Sequence, residues 1–221
     1  MTKKKAYGIM AFAAICCVVM AFIETVVEPA YPVKSAMKVA VFLLLPLIIA
    51  KAAGIRLFDG SFELDRKSVV SLLTLGLVIY GGIIGAYALT QNLFDYGSLV
   101  QALSTDQKVG NGSFWGVAFY ISFCNSFLEE FFFRLVAFLE LSKHAAKRTA
   151  YAFSSVLFAL YHVAMIGTSF PPLLLALCLM GLAAGGLIFD YLDGRKGNLY
   201  SSWVVHMFAD FAIMTIWYLH L

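Results

Sequence analysis

Apolar residues along this 221-residue chain come in long runs, separated by short stretches that hold most of the charge. A helix needs about 20 predominantly apolar residues to cross the hydrocarbon core of a bilayer. Seven runs approach that length: Tyr7–Val27, Lys38–Ala53, Val69–Leu89, Phe114–Leu141, Thr149–Ile166, Leu173–Tyr191 and Leu199–Leu221. The second is short unless Val33 and Lys34 snorkel at its end, and the fourth is long enough to tilt or project. The pattern predicts an all-α, polytopic transmembrane helix bundle of about seven spans. An eighth, re-entrant or interfacial piece is an alternative within Gln91–Gly112. No internal repeat, low-complexity tract or soluble domain is visible, so residues 1–221 read as a single transmembrane domain. The loop Gly54–Lys67 reads as an ordinary solvated loop, with a position along the membrane interface as the alternative.

Composition sharpens this picture. Hydrophobic residues make up 62% of the chain and charged residues 13%, against about 45–50% and about 25% in soluble domains. A soluble enzyme, a disordered chain and a nucleic-acid binder are excluded. The net charge of +3 is small, so its placement matters more than its sum. Twelve Lys and Arg fall on one side: Lys3 to Lys5, Lys51, Arg56, Arg66, Lys67, Lys143, Lys147, Arg148, Arg195 and Lys196. Lys34, Lys38 and Lys108 fall on the other, and Arg134 lies within a span. Cytoplasmic loops carry the excess of basic residues, so the N-terminus is expected in the cytoplasm. The first run follows three lysines like a signal peptide, but it is too long and no A-x-A site follows, so it reads as an uncleaved span. Cys16, Cys17, Cys124 and Cys178 all lie in apolar runs without a CxxC pair, and read as small apolar fillers.

Ionisable groups in a bilayer centre are costly and mark function by default. This sequence concentrates them in three runs. The fourth carries Asn125, Glu129, Glu130 and Arg134. Glu130 and Arg134 are four apart, acid first, which suits an in-helix ion pair. Glu129 points about 100° away, with Asn125 one turn before it as a hydrogen-bond partner. Glu130 and Arg134 therefore read as a structural clamp and Glu129 as the available carboxylate. The fifth run carries His162, and the seventh His206 and Asp210, four apart on one face. At 1.5 Å per residue, Glu129 lies roughly 18 Å from Leu141, His162 roughly 20 Å from Thr149, and His206 and Asp210 roughly 12 and 18 Å from Asn198. Acid–base groups of three helices thus share one slab of membrane, which independent packing residues had no need to do.

A carboxylate and an imidazole facing one cavity can deprotonate a water, and a second imidazole can donate to the oxyanion formed at a carbonyl. Glu129, His162, His206 and Asp210 are also a donor set for Zn²⁺, which would lower the pKa of bound water. Composition does not choose between the two. No HExxH and no Gly-x-Gly-Asp is present, and Gly167–Thr168–Ser169 lacks a His at its own depth. Two rival readings remain: a proton- or ion-coupled transporter, and a non-proteolytic scaffold or immunity protein. Gly81, Gly82, Gly85, Gly181, Gly185 and Gly186, the only hints of broken transporter helices, read more simply as close helix contacts.

Glu129-Glu130-Phe131-Phe132-Phe133-Arg134 has the form EExxxR, Phe158 to His162 the form FxxxH, and His206 to Asp210 the form HxxxN with Asp in the last place. In this order, each on its own span, they resemble the CAAX-prenyl endopeptidase and bacteriocin-processing family of intramembrane proteases, over about residues 114–211. The resemblance implies a helical fold around a conical cavity open to cytoplasm and lipid. It implies that Glu129 and His162 activate water, that His206 and Asp210 form the oxyanion site, and that Glu130 and Arg134 support the site or touch substrate. Family members are described both as metalloproteases and as metal-free glutamate proteases. Asp210 departs from the pattern: an ionised Asp repels an oxyanion where Asn would donate to it. Either Asp210 is protonated, or it orients His206, or it binds a cation. The implied substrate is a membrane-associated peptide or protein, a CaaX-type protein or a bacteriocin or signalling peptide. The compact size resembles the bacterial members, in a bacterial or archaeal plasma membrane.

Overall fold

The computed structural model describes residues 2–57, 66–106, 114–167 and 169–220. Among them there are eight helical rods and no strand: α1 (residues 2–27), α2 (Tyr31–Ala52), α3 (Arg66–Thr90), α4 (Tyr96–Asp106), α5 (residues 114–140), α6 (Lys147–Ile166), α7 (Pro172–Lys196) and α8 (Tyr200–Tyr218). Each of the seven apolar runs is helical over nearly all of its described residues. Most of the loop Gly54–Lys67 lies outside the described residues, as does Thr168. The stretch given as the alternative place for an eighth, re-entrant or interfacial piece contains α4, whose 11 residues are too few to cross a bilayer.

Five helices are long and apolar enough to cross a membrane: Lys3–Val27, Tyr31–Ala52, Ser68–Thr90, Lys147–Ile166 and Pro172–Lys196. α5 and α8 are not among them. Their polar residues (Glu129, Glu130, Arg134 and Glu140 in one, His206 and Asp210 in the other) dilute the apolar runs.

Local chemistry sets the ends and irregularities of the rods. α7 opens with Pro172 in its first turn, where a missing N–H costs nothing. It closes on Gly197 at φ +71°, with Arg195 and Lys196 in the last turn facing the negative end of the helix dipole. α2 widens into a π-helical turn over Ala40–Leu44 just before Pro46. The proline ring would clash with the carbonyl four residues earlier in a regular α-helix, and the wider turn makes room for it. α5 is π-helical over Tyr120–Asn125 and again over Glu130–Glu140, the form that accompanies functional sites in helices.

α6 packs most extensively on α7, and α8 on α3. The largest buried cluster joins Cys16, Cys17 and Met20 of α1, Phe42 of α2, Phe132 and Phe133 of α5, Phe158 and Tyr161 of α6, Phe189 of α7 and Val205 of α8. Cys16 and Cys17 are apolar fillers there as expected, whereas Cys124 is exposed. The glycine expectation fails at five positions. Gly81, Gly82, Gly85, Gly181 and Gly185 have nothing within 4 Å of where a Cβ would stand. Gly186 alone of the six is a close contact, its notional Cβ 3.0 Å from Ser155 Cα. Gly76, not singled out in the sequence, lies under the Phe208 ring.

Candidate active site

The aromatic cluster fixes the rotation of the helices, and the polar residues on their inner faces then meet. Glu129, Glu130 and Arg134 are almost wholly buried, as is His206. Glu129 Oε2 lies 3.7 Å from His162 Nε2 and 3.8 Å from His206 Nε2. Asn125 donates a 3.0 Å hydrogen bond to Glu129 Oε1, the one-turn contact that the spacing predicted. Glu130 Oε2 pairs with Arg134 Nε at 3.0 Å. Glu129, Asn125, His162 and His206, which the sequence distributes over three helices, thus surround one point, and one turn beyond His206 stands Asp210, its Oδ1 3.7 Å from His206 Nε2.

Each imidazole is held by its other nitrogen. Phe158 C=O accepts from His162 Nδ1 at 2.8 Å, which leaves the neutral ring with a lone pair on Nε2. Glu130 Oε1 accepts from His206 Nδ1 at 2.8 Å. The adjacent glutamates do diverge, yet both reach His206, one at each ring nitrogen. The bond that orients His206 therefore comes from Glu130, not from Asp210, which is too far away for a hydrogen bond. Asp210 Oδ2 is buried without a hydrogen-bond partner among the described residues.

Behind the site lies a second polar layer that the sequence did not announce. Arg134 donates to Ser154 Oγ at 3.3 Å and lies 3.7 Å from Asp190 Oδ1. Its guanidinium covers the Phe158 ring at 4.6 Å and the Phe189 ring at 5.2 Å. Asp193 accepts from both the backbone N–H and the hydroxyl of Ser202, at 3.0 and 2.6 Å, and so caps the first turn of α8. Asp190 and Asp193 are wholly buried. Their only sequence signal was two carboxylates at the end of an apolar run, beside Arg195 and Lys196, where a solvated helix end was the natural reading.

The positive-side count also needs correction. Lys34 and Lys38, assigned to an outer loop, are buried within α2. Lys34 pairs with Glu24 at 2.7 Å, and Lys38 Nζ lies 2.6 Å from Glu129 Oε1 and 2.5 Å from Asn125 Oδ1.

Among the described residues no group of three or more His, Cys, Asp and Glu side chains is placed to hold a metal ion. The donor set Glu129, His162, His206 and Asp210 does not fit Zn²⁺ here. An ammonium already sits on Glu129, and a divalent ion beside it would be repelled.

Beside this centre an apolar cleft of about 440 Å³ runs between the first half of α5 and the end of α8, lined by Phe114, Trp115, Phe119, Phe123, Phe211 and Tyr218. It begins one residue from Asp210.

Residues 111–212 match the family model of type II CAAX prenyl endopeptidases, Rce1-like. Over that stretch the chain is similar to the CAAX proteases. The matched segment carries all three motifs and runs from the start of α5 through Asp210. It covers just under half of the chain; α1 to α4 lie outside it. No curated protein and no solved structure matches the chain. That likeness, on a chain with five helices long and apolar enough to cross a membrane, supports a multi-pass membrane protein and a peptidase.

Proposed function

We propose that the chain is an intramembrane endopeptidase that hydrolyses a peptide bond in a membrane-associated peptide or protein with a water activated by Glu129. The observation that carries the reading is the convergence of His162 Nε2 and His206 Nε2 on Glu129 Oε2 at 3.7 and 3.8 Å. These separations are too long for direct hydrogen bonds and suit a bridging water. That water donates one O–H to Glu129 Oε2 and the other to the His162 lone pair. Its oxygen adds to the substrate carbonyl carbon as Glu129 takes the proton. The C–N bond then breaks, and the proton passes from Glu129 to the leaving amine. His206, held by Glu130 at Nδ1, donates to the oxyanion from Nε2 in its doubly protonated form. Arg134, through Glu130, and Asn125 support these positions. Asp210 stays near His206 without touching it, so a protonated Asp210 is the form compatible with an oxyanion at that place. No step passes through a metal.

Seven membrane crossings in one domain, N-terminus cytoplasmic, complete the proposal. With Lys34 and Lys38 withdrawn from the outer loops, Lys108 is the one basic residue left on that side, which strengthens the asymmetry. A bacterial or archaeal plasma membrane remains the proposed setting.

The test uses the purified chain in proteoliposomes with two probes: a prenylated CAAX peptide and an unprenylated membrane-anchored peptide. Mass spectrometry of the products is expected to give one cleavage site in at least one probe, and none with Glu129→Gln. A Glu129→Gln protein that cleaves at the wild-type rate overturns the assignment.

A further inference from the structure

The matched segment ends at residue 212 and begins at 111, yet the shortest polar contacts to Glu129 and Asn125 reach in from outside it. We propose that Lys38 is a positioning residue for Glu129, and that α2 therefore completes a site the family segment leaves unfinished. The kinetic part of this proposal rests on the peptidase reading; the pairing does not.

Three observations carry it. Residues 34, 38 and 42 lie four apart on α2, and each faces inward: Lys34 to Glu24, Lys38 to Glu129, and Phe42 into the aromatic cluster. Phe42 is fully buried and stacks on Phe132 at 4.1 Å with the rings 6° from parallel. That stack locks the rotation of α2 against α5, so Lys38 is carried to its place by the packing of the residue one turn on. Second, Lys38 and Asn125 both donate to Glu129 Oε1, at 2.6 and 3.0 Å, and Lys38 also donates to Asn125 Oδ1. One carboxylate oxygen is thereby occupied, and the other, Oε2, is the one that faces both imidazoles. A carboxylate with a free χ3 would present either oxygen to water; this one is held in a single orientation. Third, the remaining face of the ammonium lies over the Tyr161 ring, 5.1 Å from its centroid, one residue from His162. Lys38 thus touches both the helix of Glu129 and the helix of His162.

A surface lysine would gain little from such a pair. Here both side chains are enclosed, at 6% and 2% exposure, and removing one partner leaves the other charged and buried, which is strongly destabilising. Removing both charges is much milder. A purely structural pair and a positioning pair differ in kinetics. The first changes how much protein folds. The second changes the turnover of each folded molecule while leaving substrate affinity nearly intact.

The experiment compares wild type, Lys38→Met, Lys38→Arg, Glu129→Gln and Lys38→Met/Glu129→Gln, as full-length chains. Thermal unfolding in detergent needs no substrate. Lys38→Met is expected to lower the melting temperature by about 10 °C, and the double variant to regain at least half of that loss. Cleavage of the probe peptide, normalised to folded protein, is expected to show kcat down about 100-fold in Lys38→Met with KM within about threefold, and partial recovery in Lys38→Arg. Additive melting losses overturn the pairing. Wild-type kcat in folded Lys38→Met overturns the positioning role. A wild-type chain that cleaves neither probe while the melting losses remain coupled overturns the peptidase reading alone and upholds the pairing.

Discussion

α1 and α3 on one side, α5 and α8 on the other, distribute apolar and polar side chains in opposite ways. α1 and α3 turn large apolar side chains outward: Ile15, Val18, Leu77 and Val78 are each more than 60% exposed. α5 from Leu128 to Phe138 is nearly all buried, charged residues included. Hydropathy recognises the first kind easily and ranks the second kind lowest, because the residues that lower its score are the ones that meet in the centre. In this chain a deficit of apolarity within a long helical run is the better pointer to chemistry.

The sharpest break of this contrast is a pair of substitutions. Glu129→Gln is expected to lower kcat about 10³-fold, worth ~4 kcal/mol of transition-state stabilisation, whereas Leu77→Ala on the exposed side of α3 leaves kcat unchanged. Steady-state cleavage in proteoliposomes reads both; equal effects would dissolve the distinction. Next comes Arg134→Met. It strips the counter-ion from Glu130 and, through it, the support of His206, and is expected to destabilise the fold by about 3–5 kcal/mol, measured as loss of folded monomer in detergent on mild heating. Smaller is the effect of Gly186→Val. It drives a side chain into Ser155 between α6 and α7, at a cost of about 1–3 kcal/mol. The neighbouring Gly185→Val faces open space and is expected to stay within about 0.5 kcal/mol. A shared effect would mean that both glycines face a neighbour.

The smallest effect lies outside the spans. Asp95 caps α4, accepting from the Ser98 backbone N–H at 3.1 Å and from its hydroxyl at 2.6 Å. The Ser98 hydroxyl and then the Ser98 amide hold the carboxyl below the ordinary Asp value. A lowered folded-state pKa contributes stability that is complete above the unfolded value and fades as pH falls below it. Exchange protection of the first turn of α4 is therefore expected to decline slightly below about pH 4. With Asp95→Asn the decline disappears.

Much of this arrangement was legible in one sequence because it is local. The Glu130–Arg134 pair and the Asn125–Glu129 bond are four-residue contacts within a helix, and regular rise alone put His162, His206 and Glu129 at one depth. What was not legible depends on contacts between distant parts of the chain. Lys38 sat at the edge of an apolar run, where a snorkelling lysine is the ordinary case, and nothing near it in the chain signals Glu129. Asp190 and Asp193 were hidden by the basic residues beside them. The π-helical stretches have no residue signature beyond Pro46, and the five open glycines look in sequence like the one that is packed.

The Lys38–Glu129 pair joins residues 91 apart, and that interval has a meaning during synthesis. A ribosome adding about 5–20 residues per second delivers the amine to the membrane several seconds before the acid. Until α5 arrives, Lys38, about 10 Å from the start of its helix, has to keep its ammonium near the headgroups. The pair is thus closed by the fifth rod, and a nascent chain halted before that point would leave the Lys38 ammonium without its carboxylate.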